Sequence, residues 1–197
     1  MFQIERFWKE VLRIEDDALV AALSKVSEFV RVPKGDILVR QGEEQVWITL
    51  IVEGVFRGFY LDKAGNEITD CFGFRPGEPA MACQRFDEPA EIFVEAVTDS
   101  LCVRFSVESM GKLCSQYPQL FQIYDTYLMQ GIMRHQASKT AIQGFDLEKR
   151  YQWFLQEYPG LVDVARLKDI ASFLKAAPES FSRMRANLKK NVGKEQG

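Results

Sequence analysis

Apolar positions along the chain follow two rhythms, and the change between them divides it. Val20, Leu23, Val26 and Val30 recur at helical spacing with charges between them, so residues 4–28 read as one or two helices. From Phe29 the period shortens. Phe29–Val32, Asp36–Arg40, Val46–Val52, Val55–Leu61 and Glu67–Phe74 are β-branched or aromatic runs. Turn-forming stretches separate them: Pro33–Gly35, Gln41–Glu44, Glu53–Gly54 and Asp62–Asn66. Two more runs, Glu91–Val97 and Leu101–Phe105, follow a Pro-, Gly- and acid-rich interruption from Arg75 to Pro89. Short strands spaced about ten residues apart, with turn chemistry between them, predict an antiparallel barrel or roll.

From Val107 the pattern turns helical and stays so. A short helix ends near Tyr117, and Pro118 opens a second that runs to about Gln143. Within it Phe121, Tyr124, Leu128, Gly131, His135, Ser138 and Ile142 alternate three- and four-residue steps, the spacing of a coiled coil. A helix of about 26 residues is about 39 Å long, more than a small roll covers, so a partner helix in a homodimer is expected. Gly144–Asp146 reads as a hinge, with Asp146 capping a helix from Leu147 to Glu157 that stops at Pro159–Gly160. The expected fold is α+β. A jelly-roll-like antiparallel β-roll with flanking helices and a long dimerisation helix occupies residues 1–144, and a helical domain occupies residues 145–197.

That second domain carries the most specific pattern. Leu167, Ile170, Ala171 and Leu174 share one stripe of a short helix, and Phe181, Met184 and Leu188 share one stripe of the next, which begins at Pro178. Two amphipathic helices joined by a tight turn form a helix-turn-helix. Opposite the second stripe lie Glu179, Ser182, Arg183, Ala186 and Lys190. Arg can grip guanine O6 and N7 with two bonds, and a carboxylate can accept from cytosine N4. Glu179, Ser182 and Arg183 are therefore the expected base readers, and Lys168, Arg185, Lys189 and Lys190 the expected phosphate contacts. No obvious two-stranded wing is expected after this pair of helices, and with it fewer backbone contacts on a duplex.

Charge supports the same division. Net charge over 197 residues is −3, yet residues 164–197 hold eight Lys/Arg against three Asp/Glu, leaving residues 1–163 at −8. An acidic body with a basic end is a layout suited to phosphate. No 18-residue apolar run exists to span a membrane, and charges interrupt the first residues as no secretory leader allows, so a cytoplasmic protein is expected. Cys71, Cys83, Cys102 and Cys114 lack metal-ligand spacing and are expected as reduced, buried thiols. With His135 as the single histidine, neither a cupin-like metal centre nor a Ser-His-Asp site is supported. No enzyme, metal or resident cofactor is expected.

The order of parts resembles the Crp/Fnr family of transcriptional regulators over nearly the whole chain. Its most specific stretches are Glu148–Tyr151 with Pro159, and Ile170-Ala-Ser-Phe-Leu174 followed by Pro178-Glu-Ser-Phe-Ser-Arg-Met-Arg185. Lys34–Leu38, Gln41–Glu43 and Val52–Gly54 are similar to the family's phrases in the roll. The resemblance implies a cyclic-nucleotide-binding-like roll, a dimerising helix, double-stranded DNA as partner and RNA polymerase as a further one. It places Glu179 and Arg183 at base-reading positions. Pro178 falls where many relatives carry another contacting side chain, and Lys175 falls where relatives carry glycine in the turn, so a positive φ is expected there at about 1 kcal/mol.

Family members that bind cyclic nucleotides hold the ribose with a Gly-Glu pair, for which Gly77 and Glu78 stand. Their Arg-Ser/Thr phosphate pair has no counterpart, since Ala90 and Glu91 occupy its neighbourhood and Arg85 lies five residues too early. A carboxylate there repels a phosphate. Cyclic AMP and cyclic GMP are therefore not expected as ligands, and the roll is expected to take another small molecule bordered by Gly77, Glu78, Arg85 and Glu91. The rival reading is a ligand-binding or dimerisation module that has lost sequence-specific DNA binding.

Overall fold

The computed structural model describes residues 3–80 and 88–195, with side chains described up to Leu188. Arg85 and Cys83 lie outside the described residues, as do the side chains of Lys189 and Lys190.

The short runs of β-branched and aromatic residues form the strands β1 (Glu28–Val32), β2 (Ile37–Val39), β3 (Trp47–Glu53), β4 (Phe56–Leu61), β5 (Glu67–Gly73), β6 (Phe93–Ala96) and β7 (Ser100–Ser106). They make two antiparallel sheets, ordered β1-β7-β3 and β2-β6-β4-β5. The chain crosses between the sheets from β1 to β2, β2 to β3, β3 to β4 and β6 to β7, which closes a roll, while β4 and β5 pair directly. Its interior holds Val32, Ile51, Phe56, Val94, Ala96 and Cys102, all buried. Gly54, at φ +112°, makes the turn from β3 to β4; a Cβ there would lie 2.1 Å from the Ser100 hydroxyl oxygen, so only glycine fits.

Flanking helices pack on the outer face of the three-stranded sheet. They are α1 (Ile4–Arg6), continued by a π-helical turn over Phe7–Val11, then α2 (Asp17–Val26) and α3 (Val107–Gln116). Asp16 caps α2 through the backbone N–H groups of Ala18 and Leu19, and Ser106 caps α3 through that of Ser109. The long helix α4 (Gln119–Gly144) follows.

The stripe expected to face a second subunit is unevenly exposed in the single chain. Ser138 is buried, Tyr124, Leu128, Gly131 and Ile142 are half-buried, and Phe121 and His135 are exposed. A helix lying along a roll turns one face inward whatever its partner. The inner face falls on Leu120, Ser138 and Ala141, while Phe121, Met129 and Met133, at 57%, 54% and 64% exposure, lie on the outside, eight and then four residues apart.

Beyond α4 come α5 (Leu147–Glu157), a one-turn α6 (Leu161–Val164), α7 (Leu167–Phe173) and α8 (Pro178–Glu195). Asp146 caps α5 by accepting from the Lys149 N–H at 2.9 Å. The core of these helices does not close on itself. Tyr151, Phe154, Tyr158, Phe173 and Phe181 gather around Phe72 of β5, whose ring stands edge-on to Phe173 at 5.5 Å and to Phe154 at 6.1 Å.

Candidate nucleic-acid interface

Of the α7 stripe that predicts burial, Ile170, Ala171 and Leu174 are fully buried and Leu167 is exposed; Phe173, outside the stripe, is buried as well. The helix then ends in a left-handed turn. Lys175 has φ +53°, its N–H donates to the Ser172 carbonyl at 3.0 Å, and the Ala176 N–H donates to the Ala171 carbonyl at 2.9 Å. This pair of bonds is a Schellman cap, which normally places glycine where Lys175 stands. The positive φ expected at this lysine is therefore present, and its side chain is exposed.

The turn sets α8 across α7. Phe181 is buried, 5.3 Å edge-on from Tyr151, and Met184 and Leu188 are half-buried on the same stripe. With that stripe inward, Glu179, Ser182 and Arg183 are exposed together on the outer face within the first two turns. They offer solvent a carboxylate, a hydroxyl and a guanidinium on one rigid support, a mixed set of acceptors and donors. Arg185 departs from the expected arrangement. It is half-buried, its Nε donates to the Tyr151 hydroxyl at 3.1 Å, and its guanidinium lies 5.7 Å from that ring, so it helps hold α8 in place. Lys168 is exposed on α7 and borders a cleft whose other wall includes Tyr60, Asp62 and Glu67 of the β4–β5 hairpin.

The roll grips this helix pair through charge. Arg57 of β4 is 1% exposed and donates to Asp169 of α7 at 2.6 Å, to Glu67 at 2.6 Å and to Glu95 at 2.8–3.1 Å. Arg166 completes the cluster, reaching Asp169 at 2.5 Å and Glu95 at 2.9 Å. The hydrogen bond from Arg57 holds the Glu67 carboxyl below the usual carboxylate range. The Thr69 N–H of β5 donates to the Ser172 hydroxyl at 3.0 Å. None of these residues stands out by motif. The one signal is Arg57 itself, a charge inside a strand run that is otherwise apolar, aromatic or glycine.

In the roll, Gly77 and Glu78 lie beside each other with Gly77 at φ +85°, but Glu78 is already engaged. Its carboxylate accepts from the N–H groups of Phe74 and Arg75, from the Arg75 guanidinium at 3.2 Å and from Arg134 of α4 at 2.8 Å. Glu91 is exposed while Ala90 is buried. Of the expected effector residues, Glu78 is thus held by its own chain and Glu91 lies at the surface, and the roll's interior carries apolar side chains. Among the described residues no group of three or more His, Cys, Asp or Glu could hold a metal ion, and no helix is long and apolar enough to cross a membrane.

No protein-family model matches the chain, and no curated protein matches it in sequence. Solved structures do. A protein from Eubacterium rectale assigned to the Crp/Fnr family of transcriptional regulators superimposes with a TM-score of 0.74 at 18% identity, over 92% of this chain and 87% of its own. A transcriptional regulator of the CRP family from Thermus thermophilus gives 0.67 at 20% identity over 83% and 85%. CLP from Xanthomonas campestris, described as a c-di-GMP responsive global regulator, gives 0.72 at 13% identity over 90% and 93%. From the roll through the long helix to the terminal helix pair, the chain has the fold of the Crp/Fnr transcriptional regulators.

Proposed function

We propose that the chain is a cytoplasmic, homodimeric DNA-binding transcription regulator of the Crp/Fnr type, with no catalytic activity of its own. One observation carries this reading: Glu179, Ser182 and Arg183 stand exposed on the outer face of α8 while Phe181 anchors its inner face. Glu179 and Arg183 read bases, Ser182 assists, and Lys168 with Lys189 and Lys190 meets phosphates. Arg185 acts chiefly by fixing α8 on Tyr151. The exposed apolar ridge of Phe121, Met129 and Met133 supports pairing of two long helices, which sets two readers on one duplex. Cyclic AMP is not the ligand in this reading, since two arginines already occupy Glu78. RNA polymerase is the downstream partner.

Selection from a random-sequence duplex pool tests the proposal. A site with two-fold-related halves is expected to emerge, bound with steep salt dependence. Arg183→Ala removes preference at one base position of each half-site, at about 1–3 kcal/mol per half-site, whereas Lys168→Ala weakens all sequences alike and lowers the salt slope. Absence of any enriched sequence would refute the proposal and leave the reading as a dimerisation module without DNA recognition.

A further inference from the structure

A second cavity lies outside the roll, between the outer face of the three-stranded sheet, the N-terminal helices and the first half of α4. Its volume is about 150 Å³, and its wall includes Trp8, Leu23, Ile48, Phe105, Ile123 and Leu128. Apolar space of roughly this size accommodates one benzene-sized molecule. Trp8 is 2% exposed, and its indole N–H has no hydrogen-bond partner among the described residues. It packs edge-on against Phe105 at 5.7 Å, yet no oxygen or nitrogen of these residues accepts from it. A buried donor left in this state loses the hydrogen bond that water would supply, and such groups usually have a reason.

The backbone that carries Trp8 is unusual as well. Phe7–Val11 forms a π-helical turn, and Arg13 adopts φ +55° between Leu12 and Ile14, both of which line the cavity. π-Turns and left-handed non-glycine residues cost energy that ordinary packing has no need to store, and they gather at binding sites. Three independent features thus meet on one wall: the apolar void, the unpartnered donor and the distorted helix.

We propose that this cavity binds a neutral, single-ring aromatic molecule carrying one hydrogen-bond acceptor, such as an aryl ketone, whose oxygen accepts from the Trp8 N–H. A carboxylate is disfavoured, because the cation on the wall, Arg134, is already paired with Glu78 at 2.8 Å. The site adjoins Gly77–Glu78, since Leu12 and Tyr127 line it and border Gly77 while Arg134 links it to Glu78; its occupancy does not depend on DNA recognition.

Titration of the full-length protein with acetophenone and with ethylbenzene, followed by ligand-observed NMR, tests the assignment. Acetophenone is expected to bind saturably and more tightly than ethylbenzene. Trp8→Phe keeps the aromatic volume and removes the donor, so it should weaken acetophenone by about 3- to 10-fold and leave ethylbenzene unchanged. Gly131→Leu fills the cavity from α4, where an added Cβ meets nothing within 4 Å, and should abolish both. This variant reports even if Trp8→Phe does not fold. No saturable binding to the wild-type protein would show the cavity to be a packing void and overturn the proposal. Equal affinities for the two probes would overturn the role of Trp8, and full binding by Gly131→Leu would overturn the location.

Discussion

Asp169→Ala tests what holds the terminal helices to the roll. The Asp169 side chain is 5% exposed and accepts from Arg57 at 2.6 Å and from Arg166 at 2.5 Å. Each charge-assisted bond contributes about 1.5–3 kcal/mol. Stranding a buried ion completely costs about 3–5 kcal/mol, but Arg57 keeps Glu67 and Glu95, so the loss falls short of the sum of the parts. We expect about 2–4 kcal/mol from urea unfolding, with Asp169→Asn near half of that because an acceptor remains. The Thr69 amide, bonded across the same junction to Ser172, should then exchange roughly 30- to 900-fold faster if the helices undock as a unit. A loss below about 0.5 kcal/mol, the range of an ordinary surface change, would refute the claim that this cluster secures the junction. The pH dependence has a definite sign. The folded pKa of Glu67 is depressed, so its contribution is complete above the ordinary carboxylate value and disappears as pH falls through the lowered one.

Further outcomes follow from single residues. Lys175→Gly should stabilise the protein by about 0.5–1 kcal/mol in thermal or urea unfolding, because relief of the left-handed lysine exceeds the extra freedom glycine brings to the unfolded chain; a destabilised variant would contradict this. Burial pushes the Cys102 thiol up to about 12, so iodoacetamide at about pH 8 should modify it only on unfolding, whereas the partly exposed Cys114 reacts first; equal rates in the folded protein, read by mass spectrometry, would be inconsistent with the core around β7. Ser172→Ala removes the acceptor for the buried Thr69 N–H and should cost about 1–3 kcal/mol, a value that falls towards zero if water replaces the hydroxyl.

Much of the architecture was legible in the sequence because it depends on local periodicity. The period-two runs between Phe29 and Phe105 correspond to the seven strands, Asp146 caps α5, and the stripe of Ile170, Ala171 and Leu174 is buried as its spacing requires. Lys175 was readable too, since a cap of this kind demands a positive φ from whatever residue occupies it. The outward set of Glu179, Ser182 and Arg183 follows from the position of Phe181 on a helix of about 3.6 residues per turn.

What escaped the sequence depends on which surfaces meet across long separations. Arg57 and Asp169 are 112 positions apart, and nothing local to either announces the other. The same holds for Phe72, a strand residue that completes the core of the terminal helices, so two segments divided at residue 144 by pattern share one hydrophobic cluster in space. Periodicity gives the width of the apolar face on α4 and not its neighbour. Packing within the chain took Leu120, Ser138 and Ala141 and left Phe121, Met129 and Met133 outside. Arg185 and Glu78 carry charge that composition assigns to ligands, yet each is engaged by its own chain. Periodicity along the chain thus determined the elements and their faces; the pairing of those faces, and hence which charges remain available, was decided only by packing in three dimensions.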